Sequence, residues 1–87
     1  MSQEYDVQIT VASQKGTCRA GHKVGDSWIV GHTSPEGICL AGLVTLFPAF
    51  RVLRYGGQFP WRQDKDTIDI ACPDDLNPLV FELRRLH

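Results

Sequence analysis

The 37–57 stretch, GICLAGLVTLFPAFRVLRYGG, constrains this chain more than any other part of it. It carries no charged residue between Ile38 and Phe50. Apolar residues stand at Ile38, Ala41, Val44, Phe47, Phe50 and Leu53, with Leu40, Leu43 and Leu46 between them. A three-residue step is helical, whereas a half-buried strand alternates every second residue. The apolar arc is wide enough to predict burial on more than one side. Pro48 lacks a backbone donor, so a kink or restart is expected in mid-helix. Gly56 and Gly57 supply a stop, because glycine adopts the left-handed conformation after a helix at little cost.

Strands are expected on either side of this helix. In the 5–12 segment Tyr5, Val7, Ile9 and Val11 alternate with Asp6, Gln8 and Thr10, the pattern of a half-buried strand. A glycine-rich loop follows, holding Cys18 and His22. Residues 27–30, SWIV, predict a second strand, and Ser34-Pro35 predicts a helix start with Ser34 as cap. Residues 67–72, TIDIAC, predict a third strand, and 79–86, with Leu79, Phe81 and Leu83 on one face, a fourth. Pro73, Asp74, Asp75, Asn77 and Pro78 are turn residues that would pair these last two antiparallel. The expected fold is α+β with two layers: a four-stranded, largely antiparallel sheet packed on one Pro-kinked helix, in the order β-β-α-β-β. At 87 residues the chain forms a single domain spanning 1–87.

Several function classes are set aside by composition. A formal net charge of −1 leaves no basic stripe for phosphates, so no nucleic-acid partner is expected. Lys15, Arg19 and Lys23 form a short basic run that reads as a solvated loop. Arg51 interrupts the best apolar run before it reaches membrane-spanning length. The polar, acidic start MSQEYD does not read as a signal peptide, and the expected location is cytoplasmic. Three cysteines in that compartment are thiols, metal ligands or core residues rather than disulfides.

The chemistry-bearing residues fall at element edges. Cys18 and His22 share the glycine-rich loop, Cys39 opens the helix, and Cys72 ends the third strand. Together they form a Cys₃His set, the right ligands for tetrahedral zinc, and an iron–sulfur cluster is a further possibility. The structural alternative is that the cysteines pack as small hydrophobes. Cys39 has another reading, because unpaired N–H groups at a helix start favour a thiolate, and a thiolate near His22 or His32 suits nucleophilic or acid–base catalysis. Arg54, Tyr55 and Trp61 are candidates to line a small-molecule pocket, with Arg54 alternatively a solvated helix-end cation. Trp61, in a polar loop, either folds back over the helix or belongs to a contact surface. His32 reads as a surface residue, Asp26 and Asp74 as turn residues, and His87 has no expected role.

These residues also carry a resemblance. Lys15-Gly16, Cys18, Gly21-His22-Lys23-Val24-Gly25-Asp26 and Gly37-Ile38-Cys39 are followed by Leu53-Arg54-Tyr55-Gly56-Gly57, Pro60-Trp61 and Cys72-Pro73-Asp74. The series closes on Asn77-Pro78 with Phe81-Glu82 and Arg84-Arg85. In this the chain resembles a family of small, functionally uncharacterised proteins found mostly in bacteria and archaea. It departs from the family pattern at Arg19 and Leu40, where proline is expected after Cys18 and Cys39. The resemblance implies no particular activity. It does imply that Cys18, His22, Cys39 and Cys72 belong to one site, since the motifs centre on them.

Three function classes follow: a metal-binding protein using Cys18, His22, Cys39 and Cys72; a small enzyme with Cys39 and His22 at its centre; and a non-catalytic interaction module. A homodimer is expected in any of them, because four short strands cover only one side of a helix that is apolar nearly all round.

Overall fold

The protein, seen as a computed structural model, is described for residues 4–74 and 76–87. The first three residues of the polar start and the turn residue Asp75 lie outside the described residues. The chain runs β1 (Val7–Gln14), β2 (Ser27–Val30), α1 (Leu40–Arg54), β3 (Thr67–Ala71) and β4 (Leu79–Arg85). The strands form one sheet in the order β2-β1-β4-β3, with every neighbouring pair antiparallel. The fold is α+β, one helix lying on one face of that sheet.

The alternation seen in the sequence sets which face is which. Val7, Ile9 and Val11 of β1 join Val30, Ile68, Leu79, Phe81 and Leu83 beneath the helix, all buried. The opposite face carries Gln8, Thr10, Asp69, Glu82 and Arg84, half-buried or exposed, with Arg62 and Asp64 paired to Asp69 and Arg84. β1 starts two residues later than expected and reaches Gln14. Its register shifts between Val11 and Ser13, so a bulge absorbs Ala12 while Ser13 and Gln14 still pair with Val80 and Leu79. Pairing with a long neighbour has extended the strand past the end of its own apolar pattern.

The helix departs from expectation in three ways. It starts at Leu40 with Cys39 as cap, not at Ser34-Pro35. Gly37 at φ +95° stands between, a conformation that breaks any helix begun upstream. It then runs unbroken through Pro48, which therefore neither ends nor restarts it. Pro48 and Val44, whose carbonyl loses its partner there, both lie on the exposed side, where water can serve that group. Finally, the helix is buried on one side only: Gly42, Leu46, Ala49, Phe50 and Leu53 face the sheet, while Leu40, Ala41, Val44 and Phe47 are exposed. The three-residue series that marked it as helical could not stay on one face. At 3.6 residues per turn each such step slips back by about 60°. The buried set follows steps of three and four instead.

The helix stops as the glycine pair predicts. Gly56 is at φ +85°, its N–H donates to Leu53 O (3.3 Å), and the Gly57 N–H donates to Val52 O (2.8 Å), the two bonds of a Schellman end. Beside it lies Arg85, which continues the inward parity of Leu79, Phe81 and Leu83 and is buried despite its charge. Its guanidinium donates to Leu53 O (3.1 Å), Gly57 O (2.8 Å), Lys65 O (2.9 Å) and Asp66 Oδ1 (2.9 Å). One side chain thus ties β4, the end of α1 and the 57–66 loop together.

Replacing Arg85 by Met, which keeps the stem, should lower stability in urea unfolding by about 3 kcal/mol or more, because partly or fully buried carbonyls lose their donor. Asp66 supplies a pH signature. A hydrogen bond from His87, then that from Arg85, holds its carboxyl below the ordinary carboxylate value. A lowered carboxyl stabilises the fold above the unfolded value and loses that contribution as pH falls through the folded one. Unfolding curves of the native chain and of Asp66→Asn should therefore differ near neutral pH and converge as pH falls below the ordinary carboxylate range.

Candidate functional site

The helix start and the sheet end beneath it gather most of the residues singled out in the sequence. β1 ends at Gln14, opposite Leu79, and Cys72 follows β3 with its N–H donating to Leu79 O (2.7 Å). The loop after β1 is tied to the same turn: Lys15 N–H donates to Pro78 O (2.9 Å) and Thr17 N–H to Asn77 Oδ1 (3.1 Å). Gly16, at φ +80°, lies so close against Asn77 that no side chain would fit there. Asn77 is held by Asp74, which accepts N–H donors from Leu76 (3.0 Å) and Asn77 (3.2 Å). Those backbone bonds, Asn77 first, keep the Asp74 carboxyl below its ordinary value, as suits a turn residue. Cys18 and Cys72 are therefore on neighbouring loops, and both pack against the core.

The helix begins over Phe81, two residues along β4 from Leu79. A methyl group at Gly42 would stand 3.0 Å from Cys39 Sγ and 3.2 Å from Phe81 Cζ, so the absence of a side chain there lets the thiol and the ring meet the first turn. Cys39 is half-buried, and its side chain makes no capping hydrogen bond. The cap residue itself is held from another loop. His22 Nε2 accepts the Cys39 N–H at 3.0 Å, so this nitrogen is unprotonated and the ring is neutral. His22 is only 5% exposed and stands edge-on to Trp28 at 4.8 Å between ring centroids, while Trp28 tilts against Phe81 at 6.5 Å. The histidine thus meets Cys39 through the backbone amide, with its lone pair already engaged.

The other candidates lie elsewhere. His32 is exposed, 3.5 Å from Glu4. Arg54 is not a solvated cation: it is buried, donates to Tyr5 O (3.3 Å), and lies 3.4 Å from Glu4 and 3.6 Å from Asp6. Arg54 and Tyr55 line a shallow hollow at the far end of the helix. Trp61 is not among its walls. It is 72% exposed, resting on Phe59 at 5.3 Å, and Phe59 rather than Trp61 packs on the core. The loop therefore does not fold Trp61 back over the helix. His87, given no role, is hydrogen-bonded to Asp66 at 3.0 Å.

Among the described residues, no three or more His, Cys, Asp or Glu side chains stand close enough together to hold a metal ion. All three cysteines are free thiols. No helix among the described residues is long and apolar enough to cross a membrane.

Fold and site together define a small antiparallel α+β domain, with Cys18 and Cys72 on neighbouring loops at one end of the sheet and Cys39 at the start of its helix. Protein-family models, characterised proteins and solved structures yield no match to the chain.

Sequence reasoning missed two features. One is the bond by which His22 holds the amide of the cap residue Cys39, for which a glycine-rich loop gives no signal. The other is the inward Arg85, which the period-two register of β4 already marks. His22→Ala should lower stability by about 1–3 kcal/mol and speed hydrogen exchange at the Cys39 amide, because the amide of the cap residue loses its acceptor in a part-buried place. His32→Ala should change neither, and exchange measured by NMR separates the two variants.

Proposed function

We propose that the protein is a small thiol-dependent enzyme in which Cys39 is the nucleophile and His22 a positioning residue. The observation that carries this reading is the helix start itself. Cys39 occupies the cap of a 15-residue helix, donates no side-chain cap, and has no acidic residue in the first turn beside it. The amides of Leu40 and Ala41 precede any intrahelical acceptor, so their donors point where an anion would be stabilised. Such a constellation suits attack on an activated carbonyl, an ester or thioester. The Cys39 thiolate forms the Sγ–C bond, the carbonyl oxygen gains charge beside the free amides, and the leaving alkoxide or thiolate departs with a proton from water. The hydroxide so formed then cleaves the acyl–Sγ bond, releasing the carboxylic acid and returning the thiolate. His22 fixes the amide of Cys39 and hence the pose of the thiol. Three unpaired thiols favour a reducing compartment, which keeps the cytoplasm as the proposed location.

A zinc or iron–sulfur site on Cys18, His22, Cys39 and Cys72 draws less support. It would require His22 Nε2 to leave the Cys39 amide or the ring to bind through its other nitrogen, and the surrounding loops to close up.

Alkylation with iodoacetamide, followed residue by residue by mass spectrometry near pH 7, tests the reading. Cys39 should react about tenfold faster than Cys18 or Cys72. Equal or slower labelling of Cys39 would remove the nucleophile. Elemental analysis of tag-free protein should find neither zinc nor iron in stoichiometric amount, and a full equivalent of either would restore the metal reading.

A second reading concerns partners. Leu40 (75% exposed), Val44 (64%) and Phe47 (50%) form a stripe on the outer side of α1, with Ala41 small enough to admit a close approach. Antiparallel pairing of two copies about Val44 would set Leu40 of each against Phe47 of the other, a self-complementary patch suited to a two-fold dimer. Light scattering at micromolar concentration should give the dimer mass, and Val44→Glu the monomer mass with the fold intact.

A further inference from the structure

The side of the helix that faces β2 encloses a hollow away from the thiols. Its inner chamber, of about 180 Å³, lies between the 31–34 loop and the helix and is walled mainly by Ile9, Val30, Leu43, Leu46, Phe47 and Phe50. A second hollow of about 210 Å³ shares Gly31, His32, Phe47 and Phe50 with it and continues to Arg51, Arg54 and Tyr55. An apolar chamber therefore opens through a polar mouth. The two arginines at that mouth are not equivalent. Arg54 is spent on Glu4 and Asp6. Arg51 has no carboxylate within ion-pair distance among the described residues, and its guanidinium lies against the rings of Phe47 (5.7 Å) and Tyr55 (5.4 Å). Two aromatic rings hold that cation in place while leaving its charge uncompensated.

We propose that this compound hollow binds a small carboxylate bearing an aromatic ring, the ring in the apolar chamber and the carboxylate on Arg51. Size argues for the ring, since an apolar cavity of about 150 Å³ suffices to hold benzene. Charge argues for the carboxylate, because a guanidinium without an acidic partner matches its planar, two-oxygen geometry. The site is independent of the thiol reading: Leu43, one turn beyond Cys39, is as near as the chamber comes to it along the helix.

The test uses the full chain and three probes: phenylacetate, benzyl alcohol and acetate. Binding is followed by calorimetry and by amide shifts in NMR. Phenylacetate should bind and shift the amides of Gly31, His32 and Phe47, with benzyl alcohol and acetate each at least about tenfold weaker. Arg51→Gln should reduce phenylacetate to the level of benzyl alcohol, and Leu43→Trp, which fills the chamber, should reduce it to the level of acetate. Circular dichroism and a cooperative melt establish that both variants are folded. The proposal is overturned if phenylacetate fails to bind at millimolar concentration or if acetate binds equally well. It is overturned too if folded Arg51→Gln binds phenylacetate unchanged, or if binding appears only after Val44→Glu dissociates a dimer, which would make a second copy the occupant.

Discussion

The Arg85 guanidinium is the interaction on which the architecture turns. It occupies an inward position at the end of β4, where the strand pattern calls for an apolar side chain, and it stays there because every direction it points meets an acceptor. A buried charge without such partners would be excluded from the core. With them, it serves Leu53 O in the last turn of the helix, beside the Gly56 amide, together with two loop carbonyls and the Asp66 carboxylate. The helix end, the loop that follows it and the last strand are thereby fixed to one another. Arg54 does similar work one turn back, fastening the helix to the segment before β1 through Tyr5, Glu4 and Asp6. Tyr5 lies against Arg85 in turn, at 5.4 Å, so the two arginines share a neighbourhood.

The opposite end of the helix is held by lighter means, and it is the end that carries the thiols. One hydrogen bond, from the amide of the cap residue Cys39 to the imidazole of His22, fixes this end, while the first-turn amides receive no side-chain cap from Cys39. Packing of Cys39 and Phe81 against the bare face of Gly42 completes the seat. The C-terminal end is anchored by charge and four acceptors, the N-terminal end by a ring and a close approach. The amides of Leu40 and Ala41, like those of any first turn, have no acceptor within the helix, and it is on these that the proposed role of Cys39 rests.

The outer surface of the helix follows from the same division. One sheet covers one side, so an apolar sequence of this length leaves Leu40, Val44 and Phe47 outside. Toward β2, the 31–34 loop stands off from the helix and leaves a hollow where a larger sheet would have packed.

The sequence by itself determined the element types and the order in which they follow, because a period of two and a step near 3.6 are local properties of a chain. It also determined the helix stop, since Gly56-Gly57 needs only backbone freedom. It did not determine where the helix starts: Ser34-Pro35 had the right chemistry, and Gly37 overruled it through a torsion that the residue type permits but does not require. Tertiary structure alone decided which helical face is buried, because nearly every face is apolar and only the sheet's position chooses among them. It alone brought His22 to the Cys39 amide, since residues seventeen apart in sequence meet only when two loops are brought together. Arg85 lies between the two cases. Its inward parity is written in β4, but that a charge survives there depends on acceptors delivered by the helix and loop, and those come together only in the folded chain.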